Sequence, residues 1–332
     1  MPNNPKLGPK VQQANKSRTV HSILITGASG LIGSRLTHML HGHGHRVAHL
    51  GRAKRDGIAR SFAWDIDRRY IERGALQDVD TVIHLAGAGI ADKPWTKERK
   101  REILESRTQS TQLLYDELKK GNHSVKTVIS ATAIGYYGFK DEETTYTEDD
   151  PPGDDFLAQV TRRWEQEVDA FLKLNIRVVR IRIGIVLSAD GGVVKEIMRP
   201  IEWYAGAPLG SGNQYMSWIH LDDLCNIFIM AVENNALEGA YNAVASHPVT
   251  NRELTKAIAN AVRKPIIFPA IPSFILKLLL GEMADLVLRG SKVSNEKIRR
   301  AGYKFVYENV DDALTNLLQK NSATKKVYQK HG

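Results

Sequence analysis

Cysteine is nearly absent: Cys225 stands alone among 332 residues. A disulfide scaffold is therefore excluded, and a lone thiol suits a reducing compartment such as the cytoplasm. Cys225 lies in an apolar stretch running to Val232, with no nucleophile motif around it, and reads as a small core residue. Long apolar runs are missing as well. The N-terminal segment has no apolar core of the kind a secretory signal needs. The most apolar late stretch, Phe274–Leu288, is interrupted by Lys277, Glu282 and Asp285, which predicts buried or amphipathic helices rather than a membrane span. Acidic residues are missing from both ends. The net charge of +9 comes almost wholly from Lys6, Lys10, Lys16 and Arg18 at one end and Lys320, Lys325, Lys326 and Lys330 at the other. The body between is close to neutral, so no specific nucleic-acid groove is expected; the charge argues only for basic tails. There is no G-x-S-x-G elbow, no Walker lysine and no H-E-x-x-H pair.

What is present alternates. Ile23, Leu24 and Ile25 form a continuous apolar run, the mark of a strand buried on both faces of a parallel sheet. Leu31–Leu40 reads as a helix stopped by Gly42 and Gly44. Arg46–Leu50, Ser61–Trp64, Thr81–Leu85, Val125–Ser130 and Arg177–Leu187 read as further strands. A long charged helix, about Thr96–Lys119, and another over Phe156–Leu172 fall between them. This pattern predicts an α/β, doubly wound parallel sheet of Rossmann type with right-handed crossovers. After Ser188 glycine and proline loosen the pattern. Trp218–His220 and Ala240–Val244 read as strands around a helix from Leu221, and the chain is mostly helical from Thr250. The expected organisation is a basic tail over 1–20, a dinucleotide domain over 21–190, and a smaller helix-rich C-terminal lobe over 191–320. Strands near 217–244 return to the first domain, and a second basic tail covers 321–332.

The turn after the first strand carries Gly27, Gly30 and Gly33, with Ser29, Leu31 and Ile32 between them. The spacing is G-x-x-G-x-x-G. Glycines there permit a tight turn and let backbone N–H groups and a helix N-terminus approach a pyrophosphate. About twenty residues on, an NAD site wants an acid for the ribose 2′-hydroxyl. This chain has Arg52, Lys54 and Arg55 and no acid. Arg52 suits a 2′-phosphate, so NADP(H) is expected over NAD(H); a solvated basic loop is the alternative.

The chain resembles the extended short-chain dehydrogenase/reductase family, and more narrowly its atypical branch labelled nucleoside-diphosphate-sugar epimerase family protein. The motifs are ITGASGLIG, HLAGAGIADKPWT, REILESR, ISATAIGYYG, EDDPPGDDFLAQVTRRWE, APLGSGNQYMSWIHLDDL, VTNRELTKA and LLLGEMADLVLRGSKV. They run over about Ser22–Leu318. The resemblance implies that Leu85, Ala86 and Gly87 line the adenosine and ribose side, with Asp65 near the adenine. It implies that Glu102 and Arg107 reach the cofactor from the long helix, although a spacing of five is not one helical face. Val186 would close the nicotinamide side. Exposed helix charges are the alternative for Glu102 and Arg107.

Family members of the usual kind carry a Tyr-x-x-x-Lys pair on the helix after the fifth strand, where the Lys tunes the Tyr as an acid–base group. Here those slots read Phe156 and Val160, or Thr161 if the register slips by one. Thr132 fits the hydroxyl slot at the strand end. Tyr136 and Tyr137 are candidate substitutes for the proton-transfer group, with packing as their alternative. Asp154 and Asp155 read first as a helix N-cap. Lys93, Trp95, Trp218 and His220 are candidates for the substrate wall, although His220 suits a buried, hydrogen-bonded role equally. His38, His41, His43, His45 and His49 straddle a helix end, a glycine turn and a strand, so no metal site is expected. The expected function is an NADP(H)-dependent oxidoreductase or epimerase on a small carbonyl or hydroxyl substrate, possibly a nucleotide sugar. The rival is a non-catalytic NADP(H) sensor, favoured by the missing pair. A homo-oligomer is compatible with either.

Overall fold

The computed structural model describes residues 19–139 and 143–318. Both basic tails lie essentially outside the described residues.

The first half runs β1 (Ser22–Thr26), α1 (Leu31–Gly42), β2 (Arg46–Gly51), β3 (Arg60–Asp65), β4 (Tyr70–Ile71), β5 (Thr81–His84), α2 (Lys97–Lys119) and β6 (Thr127–Ala133). All five residues of β1 and all four of β5 are buried, as expected of strands covered on both faces. Thr96 caps α2 by accepting from the Arg99 N–H. The second half runs β7 (Thr145–Tyr146), α3 (Phe156–Asp169), β8 (Arg177–Ile183), β9 (Ile185–Leu187), α4 (Val193–Glu202), β10 (Tyr215–Met216), β11 (Trp218–His220) and α5 (Leu221–Glu233). It continues with β12 (Gly239–Ala243), β13 (Val249–Thr250), α6 (Asn251–Ala261), α7 (Ser273–Leu280), α8 (Asp285–Leu288), β14 (Lys292–Val293), α9 (Glu296–Arg300) and a helical stretch over 310–318.

Eight strands form one sheet in the order β12-β8-β6-β5-β1-β2-β3-β4. Every pair is parallel except β3 with β4. The chain steps outward from β1 to β2 and β3, then returns to place β5 on the other side of β1. The strand order therefore reverses between β1 and β5, and a crevice opens at their C-terminal ends. β12 lies beside β8, so a strand beyond residue 217 does rejoin the sheet.

The strand expected over Arg177–Leu187 is broken. β8 ends at Ile183, and β9 leaves the sheet to pair with β11. Gly184 is the reason: a Cβ there would sit 2.4 Å from the Ser217 carbonyl oxygen. The helix begun at Phe156 holds α-geometry to Asp169, then tightens into a 3₁₀ turn over Ala170–Leu174. Asp155 caps its start by accepting from the Ala158 N–H at 3.0 Å. A second buried cluster joins Leu187, Trp218, Leu254, Ile258 and Leu314 beyond the sheet. Among the described residues, no helix is long and apolar enough to cross a membrane.

Candidate active site

The crevice begins at the glycine turn. Gly27 has φ +67°, and a Cβ there would meet the Leu85 carbonyl carbon and oxygen at 2.8 Å. The two loops that leave β1 and β5 thus touch backbone to backbone. Gly33 does the same inside α1, where a Cβ would lie 2.6 Å from the Ala28 Cα. Gly30 is the N-cap of α1 and supplies no side-chain acceptor, and the first turn carries no acid. The first helical bond is Ser34 N–H to the Gly30 carbonyl. The N–H groups of Leu31, Ile32 and Gly33 therefore face the crevice end of the helix with its partial positive charge. Ser29 is exposed at the turn, and Leu31 and Ile32 are half-buried. Val186 belongs to β9; its carbonyl and the Leu31 side chain both border Gly192, within 3.6 and 4.0 Å of a Cβ there.

A buried relay holds the two loops in register. The Thr26 hydroxyl accepts from the Leu85 and Ala86 N–H groups at 3.1 and 3.2 Å, so its own proton goes to His84 Nδ1 at 2.8 Å. His84 is then the Nε2–H tautomer, donating to the Thr111 hydroxyl of α2 at 3.1 Å. Burial, with the Arg107 charge adding to it, pushes the His84 imidazole down to about 3.

Two arginines face this cradle from different sides. Arg107 packs its guanidinium over Trp164, 5.2 Å from the ring centroid, and against Gly87. A Cβ at Gly87 would come within 3.2 Å of the Arg107 Cζ. One Arg107 amino group donates to the Ile103 carbonyl at 2.8 Å. No carboxylate pairs with Arg107 among the described residues; burial, then repulsion from Arg99, pulls its pKa down to about 10. Arg52 lines a cleft of about 480 Å³ together with Trp64, Asp65, Ile66, Glu102 and Ser106 among others. Glu102 is held below the usual carboxylate range by its bond to Arg99. The two helix charges, five residues apart and not on one helical face, diverge: Glu102 borders the cleft, and Arg107 packs against Gly87.

The next strand end differs from expectation. The Thr132 hydroxyl is buried and donates to Glu165 Oε1 at 3.0 Å. Glu165 accepts from Arg182 Nε and an Arg182 amino group at 2.9 and 2.8 Å, both side chains being 4% exposed. The Tyr137 hydroxyl donates to Asn242 Oδ1 at 2.7 Å and accepts from Arg182 at 3.0 Å. Burial pushes that phenol up to about 12 despite the Arg182 charge. The candidates Thr132 and Tyr137 are therefore committed to an internal network. Tyr136 is half-buried, with the Arg182 Cζ 3.5 Å above its ring. On α3, Leu157 and Thr161 face Gly135, with a Cβ there 3.5 Å from the Leu157 Cβ and 3.8 Å from the Thr161 hydroxyl.

Two of the four candidate wall residues lie elsewhere. Trp218 is fully buried in the second core and donates its indole N–H to the His247 carbonyl at 3.0 Å. His220 is buried, accepts from the Asp222 N–H as the N-cap of α5, and stacks on Tyr307 at 3.9 Å. Lys93 is exposed, and Trp95 is half-buried against Phe156.

The sequence model of the NAD dependent epimerase/dehydratase family matches residues 23–244, and a domain of unknown function, DUF1731, matches 271–317. The chain belongs to this family. It is an extended short-chain dehydrogenase/reductase. It is 36% identical over 307 residues to the Arabidopsis thaliana epimerase family protein SDR39U1 homolog, chloroplastic, covering 90% of this chain and 87% of that one. It is 33% identical to the Bacillus subtilis epimerase family protein YfhF, covering 90% and 98%. The crystal structure of human epimerase family protein SDR39U1 (isoform 2) with NADPH superposes with TM-score 0.81 at 30% identity, covering 90% and 99%.

Away from the crevice, His43 and His45 meet Glu233, a partner the histidine spacing alone did not show. Glu233 Oε1 lies 3.3 Å from His43 Nδ1 and 3.1 Å from His45 Nε2. His45 Nδ1 accepts from the His21 N–H at 3.2 Å, which puts the ring proton on Nε2, facing the carboxylate. A metal at Nε2 would have to expel that proton and break the His21 bond. The arrangement is a hydrogen-bonded clip between α1, β2 and the end of α5. Cys225 is buried, and burial pushes its thiol up to about 12, which suits an inert core residue.

The relay has a pH consequence for a family fold of this kind. His84, His45 and His49 are all lowered by burial, so the folded chain keeps them neutral. Each then contributes stability that is complete above about pH 6.5 and is lost as the pH falls toward the folded value. His84 alone should cost on the order of 2 kcal/mol by about pH 5. Denaturant midpoints measured from neutral to mildly acid pH should fall accordingly; a flat profile would mean that His84 is already protonated or solvated in the native state.

Proposed function

We propose that the chain is an NADP(H)-dependent oxidoreductase of the atypical branch, acting on a small carbonyl or hydroxyl compound. The observation that carries the cofactor reading is Arg107: a half-buried guanidinium without a carboxylate partner among the described residues, pressed against Gly87 beside the glycine turn. An unpaired charge in such a place is costly until an anion arrives. The cradle fits a dinucleotide: Gly27 and Gly33 let the loops after β1 and β5 and the start of α1 pack backbone to backbone, and the α1 N-terminus opens at Gly30 with no capping side chain and no acid in its first turn. Leu31, Ile32 and Gly33 would meet the pyrophosphate. Arg52, Asp65 and Glu102 would border the adenosine, and Leu85, Ala86, Gly87 and Val186 the ribose and nicotinamide. When bound, NADPH would supply a hydride. On this reading residues 21–190, with the strands returning near 217–244, hold the dinucleotide, and 191–320 mostly shape the substrate side.

NADP(H) over NAD(H) rests on Arg52 in the cleft. The bound NADPH of the human relative supports it. Arg52→Ala is expected to weaken NADPH about 10- to 100-fold, the loss of one or two charge-assisted bonds, and to leave NADH within about 2-fold. Calorimetry with both nucleotides checks this, and equal losses would overturn the assignment.

A second reading, a non-catalytic NADP(H) sensor, is favoured by one observation: the Thr132 and Tyr137 hydroxyls are committed internally. The single buried Cys225 supports a reducing compartment such as the cytoplasm. The Arabidopsis relative is itself named chloroplastic.

A further inference from the structure

The loops after β5 and β6 meet at an aromatic corner. Trp95, in the loop that continues from Gly87, packs edge-on against Phe156 with ring centroids 4.9 Å apart. Its indole N–H donates to the Ile90 carbonyl at 2.8 Å, which fixes the ring. Phe156 opens α3 next to Leu157, the residue facing Gly135. Gly153, just before it, donates to the Tyr136 carbonyl at 2.9 Å. The corner thus lies at the C-terminal ends of the strands, where the crevice of such a sheet receives its ligand. Lys100 projects from α2 over both rings, 6.0 Å from the Trp95 centroid and 5.1 Å from that of Phe156. Its ammonium pairs with Glu282, from the 3₁₀ turn over Gly281–Ala284.

Chemistry narrows what this corner serves. Hydride addition to an isolated ketone leaves an alkoxide about as basic as hydroxide, which needs a positioned acid. Two of the three candidate hydroxyls are spent, the Thr132 proton on Glu165 and the Tyr137 proton on Asn242, and the ring of the third, Tyr136, is held under the Arg182 guanidinium. Hydride addition to a quinone restores an aromatic ring and leaves a phenolate, whose conjugate acid lies near the tyrosine value of about 10. Water protonates such an anion without help. Planar acceptors of that kind also stack on aromatic faces.

We propose that the substrate is a planar, conjugated carbonyl acceptor of the quinone class bearing an anionic substituent. Its ring would rest on Trp95 and Phe156, and its anion would take the place of the Glu282 carboxylate on Lys100. The proposal rests on the NADP(H) reading above. The balance is simple: the quinone gains an electron pair with one hydrogen from NADPH and leaves as the hydroquinone anion, water supplies the second proton, and NADP⁺ is the oxidised product.

The test uses the full chain with NADPH and three probes: 1,4-naphthoquinone-2-sulfonate, UDP-glucose and cyclohexanone. Binding is read by calorimetry, reduction by NADPH oxidation and epimerisation by analysis of the recovered sugar nucleotide. The sulfonate should bind and be reduced, and the other two should do neither. Trp95→Leu should weaken sulfonate binding at least ~10-fold and leave NADPH affinity within about 2-fold. Lys100→Met should erase the preference for the sulfonate over uncharged 2-methyl-1,4-naphthoquinone while melting as the parent does. Reduction of cyclohexanone, epimerisation of UDP-glucose, or sulfonate binding indifferent to Trp95 would overturn the proposal. Failure of NADPH itself to bind would bring down the cofactor reading beneath it, whereas tight NADPH binding without quinone binding would refute this inference alone.

Discussion

Glu165→Leu is expected to destabilise the chain by about 3–5 kcal/mol, the cost of leaving a buried charge without its partner. Arg182 is the charge in question. Burial works against its ionisation, but the bonds and attraction of Glu165 outweigh burial and raise its pKa above the ordinary arginine range. In the variant the guanidinium keeps its stacking on the Tyr136 ring and hydrogen bonds to Tyr137 and the distant Glu148 carbonyl, at 3.0 and 3.4 Å, with no carboxylate to offset its charge. Thr132 loses its acceptor at the same time, and Arg180 loses its weaker contact at 3.3 Å. Replacing both partners, Glu165→Leu with Arg182→Met, should cost less than the two single changes added together, since an apolar pair of similar volume is close to neutral. Denaturant unfolding of the four proteins measures the coupling directly. A Glu165→Leu loss under about 1 kcal/mol would mean that water reaches the pair. The same cycle bears on function: if Thr132 were a proton-transfer group, freeing it from Glu165 should alter the pH profile of any turnover, and if Tyr137 were one, loss of its Arg182 bond in Arg182→Met should do the same, whereas structural hydroxyls should alter stability only.

That network was only partly legible in the sequence. Strands β1, β5 and β6 announce themselves as apolar runs between turn residues, and the glycine turn follows the first of them. The arginines of β8 were a signal too. Arg177, Arg180 and Arg182 in an otherwise apolar strand demand partners, because a buried guanidinium without one is costly. The structure supplies them: carbonyls of Ala231, Asn234 and Leu237 for Arg177, Asp169 for Arg180, and Glu165 for Arg182. Which acid serves which arginine depends on how α3 lies on the sheet, and local spacing does not encode that. The break at Gly184 is hidden for a similar reason. Ile183, Gly184 and Ile185 read as one apolar run, and only the approach of Ser217 from a distant segment ends it. Trp218 and His220 are candidates for the substrate wall by sequence, with a buried role as the alternative for His220, and all three residues of β11 are buried. An aromatic residue in a three-residue strand carries no periodicity to separate core from wall. Strands β4, β10, β13 and β14 are two residues each, too short to show any alternation.

Gly27→Ala should be the most damaging small change in the crevice, because two penalties coincide there. The backbone sits at φ +67°, a conformation that costs an L-residue about 1–2 kcal/mol. The new methyl would also overlap the Leu85 carbonyl at 2.8 Å and the Ala86 nitrogen at 2.9 Å. Those atoms are backbone, and they are pinned: the Leu85 and Ala86 N–H groups both donate to the Thr26 hydroxyl, one residue before the substitution. Relief therefore requires the loops after β1 and β5 to separate, breaking the hold of Thr26 and, through it, of His84. Overpacking of this sort adds about 1–3 kcal/mol, for a total near 2–5 kcal/mol. Gly30→Ala serves as the control. Its Cβ would find only the Gly27 carbonyl oxygen, at 3.4 Å, and its φ of −77° is open to alanine. Thermal unfolding should rank the two clearly, with Gly30→Ala within about 1 kcal/mol of the parent, as for an ordinary surface change. Nucleotide titration should separate them differently: Gly30→Ala adds a methyl at the N-terminus of α1, where a phosphate would approach, while Gly27→Ala acts through the displaced loops. If Gly27→Ala melted like the parent, the contact between the two loops would not exist in solution, and the crevice would have to be built some other way.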